Sequence, residues 1–312
     1  MTEATTMEQE TIVITDVAPR DGLQNQAVAI STEGKLELVR RLAAAGVRSV
    51  EATSFVSPRA VPQMADAADV VARLRGELPD LRLSTLVPNR KGLERAHAAG
   101  APEIAVVLSA TETMNLRNIN MDLAQATAVS EETLAHAREL GLRTRAYVAV
   151  AFVCPFEGEV PLSTVVRLAQ RMREAGAQEI VIADTIGAAA PAGVKARIAA
   201  LADTIEIDRL AVHLHDTRGL GAANAWAALE AGVRRFDASV GGIGGCPFAP
   251  GAAGNLATED LVLMAEQSGF ATGIALEGLL DAVGYAESLL GRPLGGRSSA
   301  WLRRRYGAEP VT

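Results

Sequence analysis

Leu210-Ala211-Val212-His213-Leu214-His215-Asp216 is an apolar run that turns polar at its end, and the Ala-rich stretch 222–231 follows it directly. A run this short and this apolar reads as a strand buried on both faces, and the stretch behind it reads as a helix. The same strand-then-helix unit recurs along almost the whole chain. Strands are expected at 12–16, 49–53, 82–86, 104–109, 143–150, 179–184, 210–214 and 236–240. Helices are expected at 34–45, 62–74, 91–99, 122–140, 163–175, 192–205, 222–231 and 258–268. Gly46, Gly100, Gly141, Gly176 and Gly232 each stand where a helix should stop. Eight successive units imply a parallel α/β sheet, and eight is the number that closes into a (β/α)8 TIM barrel. A doubly wound open sheet is the alternative; no Gly-rich dinucleotide fingerprint follows the first strand to support it. Stretches 275–290 and 298–306 are expected as extra C-terminal helices on the barrel, and no Pro/Ser-rich linker divides the chain. Residues 12–312 are therefore expected to form one catalytic domain behind a polar extension, 1–11.

Composition narrows the functional classes. Of 312 residues, 49% are hydrophobic and 21% charged, enough apolar material for a large core. A net charge of −7 disfavours nucleic acid, which calls for a basic surface. No apolar run reaches the roughly 18 residues of a membrane span. The extension holds three glutamates and no Lys or Arg, unlike a signal or transit peptide. Cys154 and Cys246 are too few for a disulfide framework. A soluble cytoplasmic protein with reduced thiols is expected, with neither nucleic acid nor membrane as partner and a homodimer as its assembly.

In a TIM barrel, chemistry sits at the C-terminal ends of the strands. His213 and His215 project from one face of their strand, because side chains alternate. The bland reading is two polar residues at a strand end. Elsewhere the strand ends carry Arg20 and Asp21 after the first strand, Glu51 on the second, Tyr147 on the fifth and Asp184 on the sixth. A glycine-rich loop after the eighth runs to Asn255. Closure makes strands 7, 8 and 1 neighbours, so Asp21 and Asn255 can meet the histidines. An Asp, two His and an Asn without thiolate suit one hard octahedral ion, Mg²⁺ or Mn²⁺, with two positions left for a chelating substrate. The glycine-rich loop, with Cys246 at its middle, reads as a lid, and phosphate binding after strands 7 and 8 is its competing role.

Several motifs carry a resemblance. Pro19-Arg20-Asp21-Gly22-Leu23-Gln24-Asn25, Thr53-Ser54-Phe55-Val56-Ser57-Pro58, Val61-Pro62-Gln63-Met64 and Asp184-Thr185-Ile186-Gly187 are four of them. His213-Leu214-His215-Asp216-Thr217, Gly244-Gly245-Cys246-Pro247 and Gly254-Asn255-Leu256-Ala257-Thr258-Glu259-Asp260 complete the set. From about residue 12 to about residue 290 the chain resembles the 3-hydroxy-3-methylglutaryl-CoA lyases of the metal-dependent lyase and Claisen-condensing TIM-barrel superfamily. The resemblance implies a carbon–carbon lyase that splits 3-hydroxy-3-methylglutaryl-CoA into acetyl-CoA and acetoacetate by retro-Claisen cleavage. It assigns Asp21, His213, His215 and Asn255 to the metal, Arg20 to the thioester enolate and Cys246 to a catalytic loop. Asp21 and His213 count among the catalytic residues too, and Glu51, Tyr147 and Asp184 become polar groups around an acyl-CoA substrate.

Arg218 stands where these lyases usually carry Tyr, Gly241 and Phe248 replace Ala and Tyr, and Ala183 replaces Gly; stretch 108–115 departs as well. These positions border the substrate mouth, which keeps a related 3-hydroxy-3-alkyl dicarboxyl-CoA such as citramalyl-CoA open. A condensing enzyme of the same superfamily, a metal-dependent aldolase and a non-catalytic acyl-CoA or metal-binding relative are the competing functional classes. Some residues have plainer readings. Glu51 can be a buried partner for Arg20, Tyr147 a core tyrosine and Cys154 a small buried hydrophobe. Asp216 is expected to orient an imidazole. Trp226 and Trp301 read as packing. Arg303-Arg304-Arg305 reads as a solvated face, with CoA phosphates or a partner subunit as its further uses.

Overall fold

A computed structural model describes residues 9–245 and 254–307. Eight parallel strands close into a barrel: β1 Val13–Asp16, β2 Ser49–Ser54, β3 Arg82–Leu86, β4 Glu103–Ser109, β5 Arg143–Ala149, β6 Glu179–Asp184, β7 Leu210–Leu214 and β8 Arg235–Ala238. β8 pairs with both β1 and β7, so the first strand and the last two lie side by side. Around the strands run α1 Thr32–Ala44, α2 Ala67–Glu77, α3 Arg90–Ala98, α4 Glu112–Ile119, α5 Leu123–Glu139, α6 Leu162–Glu174, α7 Pro191–Ala202 and α8 Gly221–Glu230. Helices α9 Thr258–Gln267, α10 Leu276–Leu290 and α11 Ser299–Tyr306 complete the described chain.

Local chemistry explains the boundaries. Ser31 and Asn89 accept from the amides of Gly34 and Gly92 at the starts of α1 and α3, and Asp122 forms a capping box with Gln125 at α5. The five expected glycine stops all take positive φ, from 73° at Gly141 to 114° at Gly176, a region closed to most side chains. The structure also departs from expectation. Stretch 62–74 is not one helix but a short 3₁₀ turn, Pro62–Met64, followed by α2. Helix α4 fills a segment expected to be loop, and Val153–Cys154 pairs with Gly158–Glu159 in a small hairpin. β8 ends at Ala238, and Val240–Gly242 forms a tight turn in which Gly241 has φ 67°.

Most apolar burial lies between strands and helices. The barrel interior differs: its buried apolar cluster is small, Ala105, Tyr147, Val181 and Ala211. Those two alanines leave room for long polar side chains, and Arg145, Glu179, Asp237 and Glu51 occupy the bore. A bore filled with ion pairs rather than branched aliphatic layers is the feature that positions the site.

Candidate metal centre

β1 leads into a single π-helical turn, Ala18–Gly22, in which the amides of Arg20, Asp21 and Gly22 all donate to the Val17 carbonyl. Isolated π turns of this kind are frequent at functional sites. The turn lifts Arg20 and Asp21 above the bore. Arg20 Nε donates to Glu51 on β2, and Arg20 Nη1 donates to Asp21 Oδ1 at 2.8 Å. Among the described residues the second guanidinium nitrogen, Nη2, has no hydrogen-bond partner.

His213 and His215 sit on one face of β7, with their Nε2 atoms 3.2 Å apart. Ligand atoms of Asp21, His213 and His215 all lie within 4.8 Å of one another. Asn255 joins them because residues 254–257 lie along the end of the barrel, with an antiparallel bridge between His215 and Asn255. Its amide donates to Asp21 Oδ2 at 2.8 Å, while its Oδ1 is buried without a partner among the described residues.

The donor set fits a divalent cation. Two cis ligands of an octahedron with bonds of about 2.1 Å stand about 3 Å apart, close to the imidazole spacing. Buried polar atoms are ordinarily paired, so the orphaned Oδ1 of Asn255 and Nδ1 of His215 mark groups that a bound ion would organise. Electrostatics agree. Burial opposes ionisation of Asp21, yet the Arg20 guanidinium and the two imidazoles hold its carboxyl below the usual range. Burial, with His213 as neighbour, pushes His215 down to about 4, leaving it neutral for ligation. Burial also acts to lower His213, but its bond to Asp237 and the charge of Asp21 outweigh this and raise it.

The remaining expected residues take more varied places. Glu51 is fully buried between Arg20 and Tyr147, 3.1 Å from the Tyr147 hydroxyl. Tyr147 lies in the bore beneath Arg20 and donates to Asp237 Oδ2 at 2.7 Å. The two oxygens of Asp184 accept from the amides of Ala188 and Ala189, which ties down the loop after β6. Strand parity explains this, because Ala183, not Asp184, is the register neighbour of His213. Asp216 orients no imidazole. Its oxygens take Gly221 N and Arg297 Nε, anchoring the start of α8 and the segment before α11. Cys246 lies outside the described residues. Cys154 is buried and accepts from the Thr111 hydroxyl, and Arg303 is drawn back onto Glu287 rather than left on a solvated face.

Two residues that sequence reasoning passed over prove central. Asp237 and Arg145 are mid-strand charges with a hydrogen bond of 2.7 Å between them. Their signal was a charge inside a buried strand, in Phe236-Asp237-Ala238 and Thr144-Arg145-Ala146.

Barrel and cluster together define a (β/α)8 protein with a candidate cation centre at the C-terminal ends of its strands. Comparison with known proteins carries this further. A family model described as HMGL-like matches residues 11–284, and the chain belongs to the HMGL-like family. It is 42% identical over 287 residues to the hydroxymethylglutaryl-CoA lyase of Bacillus subtilis, covering 92% of this chain and 96% of that one. It is 43% identical over 295 residues to the (R)-citramalyl-CoA lyase of Chloroflexus aurantiacus, covering 91% and 93%. An HMG-CoA lyase from Acinetobacter baumannii, solved in complex with coenzyme A and 3-methylmalate, superimposes with a TM-score of 0.91 at 39% identity, covering 98% and 100%.

Proposed function

We propose that this protein is a divalent-metal-dependent carbon–carbon lyase that cleaves 3-hydroxy-3-methylglutaryl-CoA to acetyl-CoA and acetoacetate. The observation that carries the reading is the convergence of Asp21, His213 and His215 beside a buried, carboxylate-held Arg20. Asp21, His213, His215 and Asn255 are the residues that would hold Mg²⁺ or Mn²⁺. When bound, such an ion supplies Lewis acidity that lowers the pKa of the substrate's tertiary hydroxyl. Asp21 or a histidine of the cluster takes the hydroxyl proton, the C2–C3 bond breaks, and its electron pair enters the thioester as an enolate. Arg20 meets the enolate oxygen with a guanidinium already oriented by Glu51 and Asp21, so stabilisation grows as charge develops. Cys246 then delivers a proton to the enolate carbon, giving acetyl-CoA. Glu51 and Tyr147 act through Arg20, and Asp184 acts through the loop it holds.

This reading takes residues 12–312 as one catalytic domain of a cytoplasmic homodimer acting on acyl-CoA. Among the described residues no helix is long and apolar enough to cross a membrane. A second reading, cleavage of (R)-citramalyl-CoA or a near analogue, is supported by the relative that bears that name and by the exposed Arg218 after β7. One methylene typically changes discrimination by only about 1–3 kcal/mol, so measurable activity on both is expected.

Incubation with Mg²⁺ or Mn²⁺ and a panel of 3-hydroxyacyl-CoAs, followed by mass spectrometry, tests the proposal. Acetyl-CoA should appear only when both the ion and a 3-hydroxyl are present, with the highest kcat/KM for 3-hydroxy-3-methylglutaryl-CoA. Cleavage that survives excess chelator would defeat the metal; failure on every 3-hydroxy-3-alkyl dicarboxyl-CoA would defeat the reaction. Alkylation with iodoacetamide should abolish activity through Cys246, and bound substrate should protect it. Cys154, at 1% exposure, should stay unmodified in the folded protein. Peptide mapping that finds the inactivating adduct on Cys154 would remove Cys246 from this role.

A further inference from the structure

The bore contains a carboxylate that the proposed chemistry does not use. Asp237 on β8 is buried and is the register neighbour of His213 on β7. Its Oδ2 accepts from the Tyr147 hydroxyl at 2.7 Å and lies 3.3 Å from His213 Nδ1, while its Oδ1 accepts from Arg145 Nη2 at 2.7 Å. From Tyr147 the contacts continue to Glu51 Oε2 at 3.1 Å, and the second Glu51 oxygen accepts from Arg20 Nε. We propose that Asp237 is a positioning residue for both halves of the site, setting His213 for the cation directly and Arg20 for the enolate through Tyr147 and Glu51. The inference rests on the reading of the cluster as the cation site and of Arg20 as the enolate group.

An ionised carboxylate only accepts, so His213 must carry its proton on Nδ1 and present the Nε2 lone pair toward His215 and Asp21. His215 has no such partner among the described residues, where its Nδ1 is buried and unbonded. The protein therefore sets the tautomer of one imidazole and leaves the other to the ion. A carboxylate that orients a metal-binding imidazole typically contributes about 10–100-fold to metal affinity. Three donors converge on Asp237, and an isosteric amide has one oxygen to offer them. With that oxygen facing Arg145, the amide nitrogen of Asp237→Asn faces His213 and drives its proton to Nε2, where it blocks ligation. The same exchange lowers kcat by about 10⁴ in the Ser-His-Asp hydrolases, through the wrong tautomer.

The experiment combines Mn²⁺ binding, followed by electron paramagnetic resonance, with ¹⁵N-histidine NMR of the metal-free protein. Asp237→Asn should bind Mn²⁺ about 10–100-fold more weakly than wild type. Tyr147→Phe, which removes the branch toward Arg20 and one donor to Asp237 but leaves Asp237 Oδ2 facing His213 Nδ1, should keep Mn²⁺ affinity within about threefold while lowering kcat. Wild type should show His213 as the Nδ1–H tautomer, assigned by the signal lost in His213→Gln. A wild-type chain that binds no Mn²⁺ removes the cation reading and this role with it. If wild type binds the ion and Asp237→Asn binds it equally well, this inference alone is overturned. Should Asp237→Asn fail to fold, the wild-type spectrum decides, because an Nε2–H tautomer at His213 is incompatible with the proposal.

Discussion

Replacement of Arg20 by glutamine is expected to lower kcat by roughly 10²–10³-fold, the range seen when one preorganised oxyanion donor is removed. The Mn²⁺ dissociation constant should change little. Arg20 is 7% exposed and its guanidinium is already held by Glu51 and Asp21, so little reorganisation is required as the thioester oxygen gains charge. Glutamine can hydrogen-bond Glu51 but brings no charge to the enolate. A loss confined to KM, with kcat intact, would show that Arg20 binds substrate without favouring the transition state. Near-normal turnover would remove it from the mechanism.

Replacement of Arg145 by methionine should destabilise the fold by about 3–5 kcal/mol, the range for removing one member of a buried ion pair. Arg145 is 1% exposed and bonds Glu179 Oε1, Asp237 Oδ1 and the Tyr147 hydroxyl. Glu179 keeps Arg82 at 3.1 Å, but Asp237 loses the one arginine it bonds among the described residues. That arginine is the largest influence holding the Asp237 carboxyl well below the usual carboxylate range despite burial, so the charge would be left in the bore poorly compensated. Urea unfolding followed by circular dichroism reads the effect. A loss below about 1 kcal/mol would mean that the bore readily admits water or that Asp237 is neutral.

Much of the architecture was legible along the chain. The strands at 179–184 and 210–214 are built on the apolar runs 180–183 and 210–212, because a strand buried on both faces is apolar along most of its length. Glycine marked five helix ends because few residues of any other type adopt positive φ. Helix α4 escaped notice. It is short, it carries no clear apolar stripe, and it ends on a left-handed Asn120 rather than on glycine. Asp21, His213, His215 and Asn255 were legible as a group only because eight units imply closure, and closure makes strands 7, 8 and 1 neighbours.

What lies behind that group was not legible. Asp184, Asp216 and Asp237 are all aspartates at or near strand ends, and nothing local distinguishes a loop anchor from an imidazole partner. The distinction depends on which side of its strand each residue occupies, and on donors far away in sequence. Asp184 falls one residue out of register with His213 and takes backbone amides. Asp237 falls in register and takes Arg145, Tyr147 and His213, residues 92, 90 and 24 positions away. Composition and periodicity are local and were enough for the barrel and its ligand-bearing ends. The bonding of the bore is a property of closure, since only there do side chains from different strands share one desolvated space in which every charge must find a partner.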